Sequence, residues 1–188
     1  MSLFQTLKPK PKNSGSTCLL LDTSGSMDST VHSEEGHEPR RIELLFKAVE
    51  ETPECTRLKA YTFNNSCRPL EVIPSEAEAL NYPTHGSTNL ADAFETVKRA
   101  GFYNAILVTD GEPDSEGSAL AAAYGMKLGI IYIGNPPIPP FLKRLADATD
   151  GTFQIADMTD IKQLGNAIVA ALPQPSEEPP PEGGSIAL

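Results

Sequence analysis

No apolar run in the 188 residues approaches the roughly 18 that a helical bilayer span requires, so no membrane partner is expected. A secretory leader is also missing from view: MSLFQTLKPKPKNSGS has lysines but no continuous apolar segment behind them. Cysteine is scarce. Cys18, Cys55 and Cys67 are odd in number and lack the paired spacing of a thiolate metal site, and Cys18, inside an apolar run, reads as a small buried thiol. A reducing, cytoplasmic setting is the expectation. Concentrated positive charge is lacking too: 15 Lys and Arg stand against 25 Asp and Glu, for a net charge of −10. Binding to phosphate backbones relies on a basic face, so nucleic acid is not an expected partner. Lys8, Lys10 and Lys12 read as part of a solvated tail. No internal repeat is apparent, and the acidity suits binding of a cation.

The length suits one domain with a proper core, expected to be a monomer when alone. Residues 1–14 read as a loose leader, 15–172 as the domain, and 173–188 as a disordered tail. That tail, PQPSEEPPPEGGSIAL, offers too little apolar surface to offset the entropy of ordering it. Between the tails, apolar runs alternate with segments of helical period. This predicts an α/β fold: a Rossmann-like, doubly wound, mostly parallel six-stranded sheet with helices on both faces.

The expected strands are 17–22, 57–63, 69–73, 104–109, 128–133 and 152–156. PRRIELLFKAVEET should form a helix with Pro39 in its first turn and Ile42, Leu45, Phe46 and Val49 on one face. Further helices are expected from near Thr88, with Leu90, Phe94 and Val97 inward; after Asp114 as N-cap; over 139–149, ended by Gly151; and over 160–171. Asn64-Asn65-Ser66 is too short for a crossover, so the runs on either side of it should pair antiparallel and give one reversed edge strand.

Three polar segments fall at strand ends or helix starts: DTSGS at 22–26, HGSTN at 85–89 and TDGEPD at 109–114. In an open α/β sheet, the carboxyl ends of strands flanking the point where connectivity reverses share a crevice, so these loops can converge. Their chemistry is hard oxygen, with carboxylates from Asp22 and Asp110 and hydroxyls from Ser24, Ser26 and Thr88. Hard divalent cations take such ligands, and few carboxylates with several hydroxyls favour Mg2+, with Mn2+ or Ca2+ as alternatives. Serines two apart can project the same way, and Gly25 between them can take a backbone conformation closed to other residues.

The Asp-x-Ser-x-Ser run at Asp22, Ser24 and Ser26, the distant Thr88 in GSTNLADAF, and Asp110 in LVTDGEP together resemble the metal-ion-dependent adhesion site of von Willebrand factor A-like domains. The resemblance covers roughly residues 15–172. It implies that Ser24 and Ser26 ligate an ion directly, Thr88 does so in one conformation, and Asp22 and Asp110 act mainly through water. It also implies that an acidic residue of a partner protein completes the coordination, and that the module binds rather than catalyses. An adaptor or subunit of an intracellular bacterial or viral complex, in the company of an ATPase, is the setting it suggests.

Two other readings fit parts of the pattern. A strand ending in aspartate before a small-residue turn also resembles haloacid dehalogenase-type phosphatases, with Asp22 as nucleophile, although Ser24 stands where a second aspartate should be. Alternatively, the metal is purely structural. The polar loop MDSTVHSEEGHEPR should lie on the metal-bearing rim. His32, His37, His85, Glu112 and Asp114 are rim candidates for facing the partner. Solvent-facing histidines are the plain reading, and a pH-sensitive contact or second metal site the sharper one.

Overall fold

The computed structural model describes residues 16–32 and 38–172. The leader, the tail and His37 lie outside the described residues. Six strands form one sheet: β1 (Thr17–Asp22), β2 (Lys59–Phe63), β3 (Cys67–Leu70), β4 (Asn104–Thr109), β5 (Lys127–Tyr132) and β6 (Thr152–Ile155). Their spatial order is β3-β2-β1-β4-β5-β6, all parallel except the β2/β3 pair. The reversed strand is therefore at the edge, as its three-residue connection requires, although it begins and ends earlier than 69–73.

The central strands read as unbroken apolar runs because both faces of the sheet are covered. Along β1, Cys18 and Leu20 enter one core while Leu19 and Leu21 enter the other. The first core is roofed by α4 (Leu90–Arg99), α5 (Glu116–Ala122) and α6 (Pro140–Ala148). The second lies under α1 (Arg41–Glu50), α3 (Glu76–Ala79) and α7 (Ile161–Ala170). Ile42, Leu45, Phe46 and Val49 of α1 are fully buried, as are Leu90, Phe94 and Val97 of α4. Each such side chain contributes roughly 1.5–3 kcal/mol through burial. Cys18 and Cys55 are buried free thiols whose burial pushes them up to about 12 and about 11. Among the described residues, no helix is long and apolar enough to cross a membrane.

Several helix boundaries differ from expectation. Pro39 precedes the helix rather than opening it: Arg40 is the N-cap of α1. Asp114 does not cap α5; the Ser115 side chain does, accepting from the Ser118 amide. Asn89 caps α4 by accepting from the Asp92 amide, so Thr88 is released from that role. After α6, Asp150 takes the left-handed conformation (φ 49°), whereas Gly151 is required for space, since a Cβ there would lie 1.8 Å from the Leu128 carbonyl oxygen. Two short helices, α2 (Pro53–Thr56) and α3, add to the expected elements. Arg40 secures α3 by donating to the carbonyls of Ala79 and Leu80, both at 2.7 Å, while its Nε meets Glu43 at 2.8 Å.

Candidate metal centre

Connectivity reverses between β1 and β4, which are hydrogen-bonded neighbours. Asp22 ends β1 and Asp110 follows β4, so adjacent strands carry the two carboxylates to one edge of the sheet. The chain after Asp22 closes into a short 3-10 turn, Gly25–Asp28, which folds the two serines toward each other. Their hydroxyl oxygens are 3.1 Å apart. The Ser26 hydroxyl donates to Asp110 Oδ1 at 2.6 Å, so the shared proton between the serines comes from Ser24. Gly25 needs no special backbone conformation: its φ is not positive, and an added Cβ would meet only the Gly86 carbonyl at 3.5 Å, an ordinary contact. The conformational freedom that glycine offers is not used at this position. The positive φ belongs to Gly86 (75°), whose missing side chain also leaves room for Asn65, 2.5 Å from where a Cβ would stand.

The two carboxylates are held differently. Asp22 is fully buried and accepts from the Ser24 amide at 2.8 Å and from the Thr109 hydroxyl at 2.5 Å. Burial pushes its carboxyl up to about 6, against the opposing pull of those hydrogen bonds. The Asp110 side chain is equally enclosed, but its Oδ2 accepts from Arg41 Nη1 at 2.5 Å, an ion pair in which the guanidinium side chain is only 11% exposed.

Thr88, 7% exposed, is brought in by the loop before α4. A Cβ at Gly111 would lie 3.6 Å from the Thr88 hydroxyl and 3.9 Å from that of Ser26, so both hydroxyls border the space this glycine leaves. The loop is laced to its neighbours: the Gly25 amide donates to Gly86, the His85 amide to Thr23, and the Ser87 amide to the Asn65 side chain. The Asp114 carboxylate accepts from the Ser87 hydroxyl at 2.5 Å and the Thr88 amide at 3.2 Å. Asp114 therefore fastens the Thr88 loop to the Asp110 loop.

The five expected donors, Asp22, Ser24, Ser26, Thr88 and Asp110, are gathered at one end of the sheet. Among the described residues, no group of three or more His, Cys, Asp or Glu clusters as a metal site, as befits a donor set of two carboxylates and three hydroxyls. The rim candidates are dispersed. His85 and Glu112 are exposed on the loops flanking the site. His32 is largely exposed, its Nδ1 lies 3.0 Å from Glu38, and it lines a different cleft from His85. Two clefts flank the donors. One of about 320 Å³ is lined by Thr23, Asn64, Asn65, Arg68 and His85. The other, about 620 Å³, is lined by Val31, Arg41, Asn135, Ile155 and Met158. Residue-by-residue reading of the sequence missed Arg41, Thr109 and Asn65. For Arg41 a signal existed, because two consecutive cations at a helix N-terminus oppose the helix dipole and need another reason to be there.

Comparison with solved structures places this architecture among von Willebrand factor A domains. Manganese-loaded TRAP protein of Plasmodium vivax superposes over 84% of this chain and 74% of its own, with a TM-score of 0.54 and 20% identity. A von Willebrand factor type A protein of Catenulispora acidiphila gives a TM-score of 0.57 at 18% identity over 84% of this chain. Proximal thread matrix protein 1 of the mussel byssus gives 0.54 at 16% identity, also over 84%. The chain spans 42% of the Catenulispora protein and 46% of the mussel protein. No protein-family model matches the sequence, and no curated protein does. The fold is thus the von Willebrand factor A-like fold.

Proposed function

We propose that this chain is a non-catalytic, divalent-metal-dependent protein-binding module, in which an acidic side chain of a partner protein completes the coordination of an ion held by Ser24, Ser26 and Thr88. The observation that carries this reading is the convergence of three hydroxyls and two carboxylates at the topological switch point, with the Thr88 and Ser26 hydroxyls bordering the space left by Gly111. Hydroxyl oxygens with carboxylates behind them suit Mg2+, which keeps some of its waters, and Mn2+ or Ca2+ by the same hard-oxygen chemistry. That the P. vivax neighbour is manganese-loaded supports a divalent ion. Asp22 and Asp110 would orient the hydroxyls and bound water. An ion so placed attracts an external carboxylate, and in a chain of net charge −10 it would also relieve repulsion of an acidic partner. An adaptor role beside an ATPase belongs to the same proposal.

The phosphatase alternative fares worse on geometry. Asp22 is fully buried, with one oxygen accepting from a backbone amide and the other from the Thr109 hydroxyl, and does not present a nucleophile to a substrate. The proposal is tested by capturing partners from host extract in Mg2+ and in chelator, with wild type and the Ser24→Ala/Ser26→Ala variant. Capture of the same protein by wild type in Mg2+ only, and by the variant in neither, supports it. Capture unchanged by chelator and substitution rejects it, and chelator that lowers the melting temperature while leaving capture intact assigns the ion a structural role.

A further inference from the structure

The Arg41–Asp110 ion pair connects the candidate metal centre to α1, and nothing in the hydroxyl-based coordination scheme requires it. Arg41 is the first residue of α1, a position where the helix dipole disfavours a cation. Its side chain is 11% exposed and its Nη1 lies 2.5 Å from Asp110 Oδ2, while Asp110 Oδ1 accepts from Ser26. Burying a guanidinium is costly unless it is paired, so its placement is coupled to Asp110. Resting on the metal-binding reading, we infer that Arg41 is a charge-setting residue that weakens the ion's affinity for the unliganded domain and so reserves tight metal binding for the complex with an acidic partner.

The argument is one of charge. Asp22 and Asp110 supply two negative charges, and Arg41 cancels one of them. A dication meeting one uncompensated carboxylate is held less tightly than one meeting two, because Coulomb attraction in a buried site is poorly screened. Once the ion is seated, the centre carries one net positive charge where it would otherwise be neutral. That surplus favours a carboxylate from outside, so ion and partner bind cooperatively.

A purely structural role for Arg41, holding Asp110 in position, predicts the opposite sign, since its removal would loosen the donors and lower affinity. The test is Mn2+ titration by calorimetry of wild type, Arg41→Gln and Arg41→Lys, with folding checked by thermal melting. Gln discards the charge while remaining polar, whereas Lys keeps the charge. The expected result is about tenfold tighter Mn2+ binding for Arg41→Gln and a change below about threefold for Arg41→Lys. Affinity that is unchanged or lower in Arg41→Gln overturns the inference and leaves the metal-binding reading standing. Wild type that binds no Mn2+ overturns both. Should Arg41→Gln fail to fold, NMR of the wild-type guanidinium decides: its Nη resonances should shift on saturation with Mg2+, and saturation without any shift overturns the inference.

Discussion

Asp22 and Asp110 sit at the ends of neighbouring strands, point into one site and are equally shielded from water, yet they are solvated by opposite means. Asp22 is held by neutral donors, a backbone amide and a threonine hydroxyl. Asp110 is held by a guanidinium and a serine hydroxyl. Neutral donors only partly replace lost hydration, so Asp22 resists ionisation; a full countercharge replaces it directly. Two carboxylates that look interchangeable in sequence are therefore different chemical objects, one met by neutral dipoles and the other tied by charge to a distant helix.

Removing each acid in turn gives the largest contrast. Asp110→Ala strands the Arg41 guanidinium in a nearly closed environment and should destabilise the metal-free protein by about 3 kcal/mol. Adding Arg41→Met to that variant should recover much of the loss. Urea denaturation in chelator measures both, and a double variant no more stable than Asp110→Ala would show that the pair is not coupled.

Asp22→Asn should act in the other direction. The Asp22 carboxyl is raised from 3.8 to about 6, so its contribution to stability is full below 3.8 and is lost as pH rises through about 6. At pH 8, without metal, ionised Asp22 costs the native state about 3 kcal/mol, which Asn avoids. Denaturation across pH in chelator should show the variant more stable than wild type at pH 8, with the difference closing by pH 4. A constant difference across that range would contradict the assignment.

The smallest effect is the most specific. Gly111→Ala places a methyl 3.6 Å from the Thr88 hydroxyl and 3.9 Å from that of Ser26, which are ordinary contacts. Stability should change by less than about 0.5 kcal/mol, while Mn2+ binding measured by calorimetry weakens as the methyl crowds the donors. Undiminished Mn2+ binding would mean that the ion sits elsewhere.

Much of this was legible beforehand because it depends on local pattern. Doubly covered strands write themselves as apolar runs, and the inward faces of α1 and α4 follow from their spacing. The reversed β3 follows from a connection too short to cross over. The five candidate donors stand out in the sequence because their loops fall at strand ends and carry the motif of the resemblance, and the structure brings them to one end of the sheet. What escaped depends on geometry between distant parts of the chain: Arg41 reaching Asp110 across 69 positions, and Thr109 reaching Asp22 across 87. Asp114 and Ser115 are both good caps by composition, and only the approach of the Thr88 loop decides between them. The short α3 did have a signal, since the Glu78 carboxylate accepts from the Ser75 amide and hydroxyl in a capping box.

The lacing of the loops bears on mechanics. Asn65 grips the Ser87 amide, Ser87 grips Asp114, and Asp114 grips the Thr88 amide. A load applied at Thr88 is consequently shared with the β2–β3 hairpin on one side and the α5 entrance on the other. Three stretches of chain, 64–66, 85–89 and 110–115, are thereby joined by hydrogen bonds, so a pull on the Thr88 hydroxyl would be carried toward the outermost strand of the sheet.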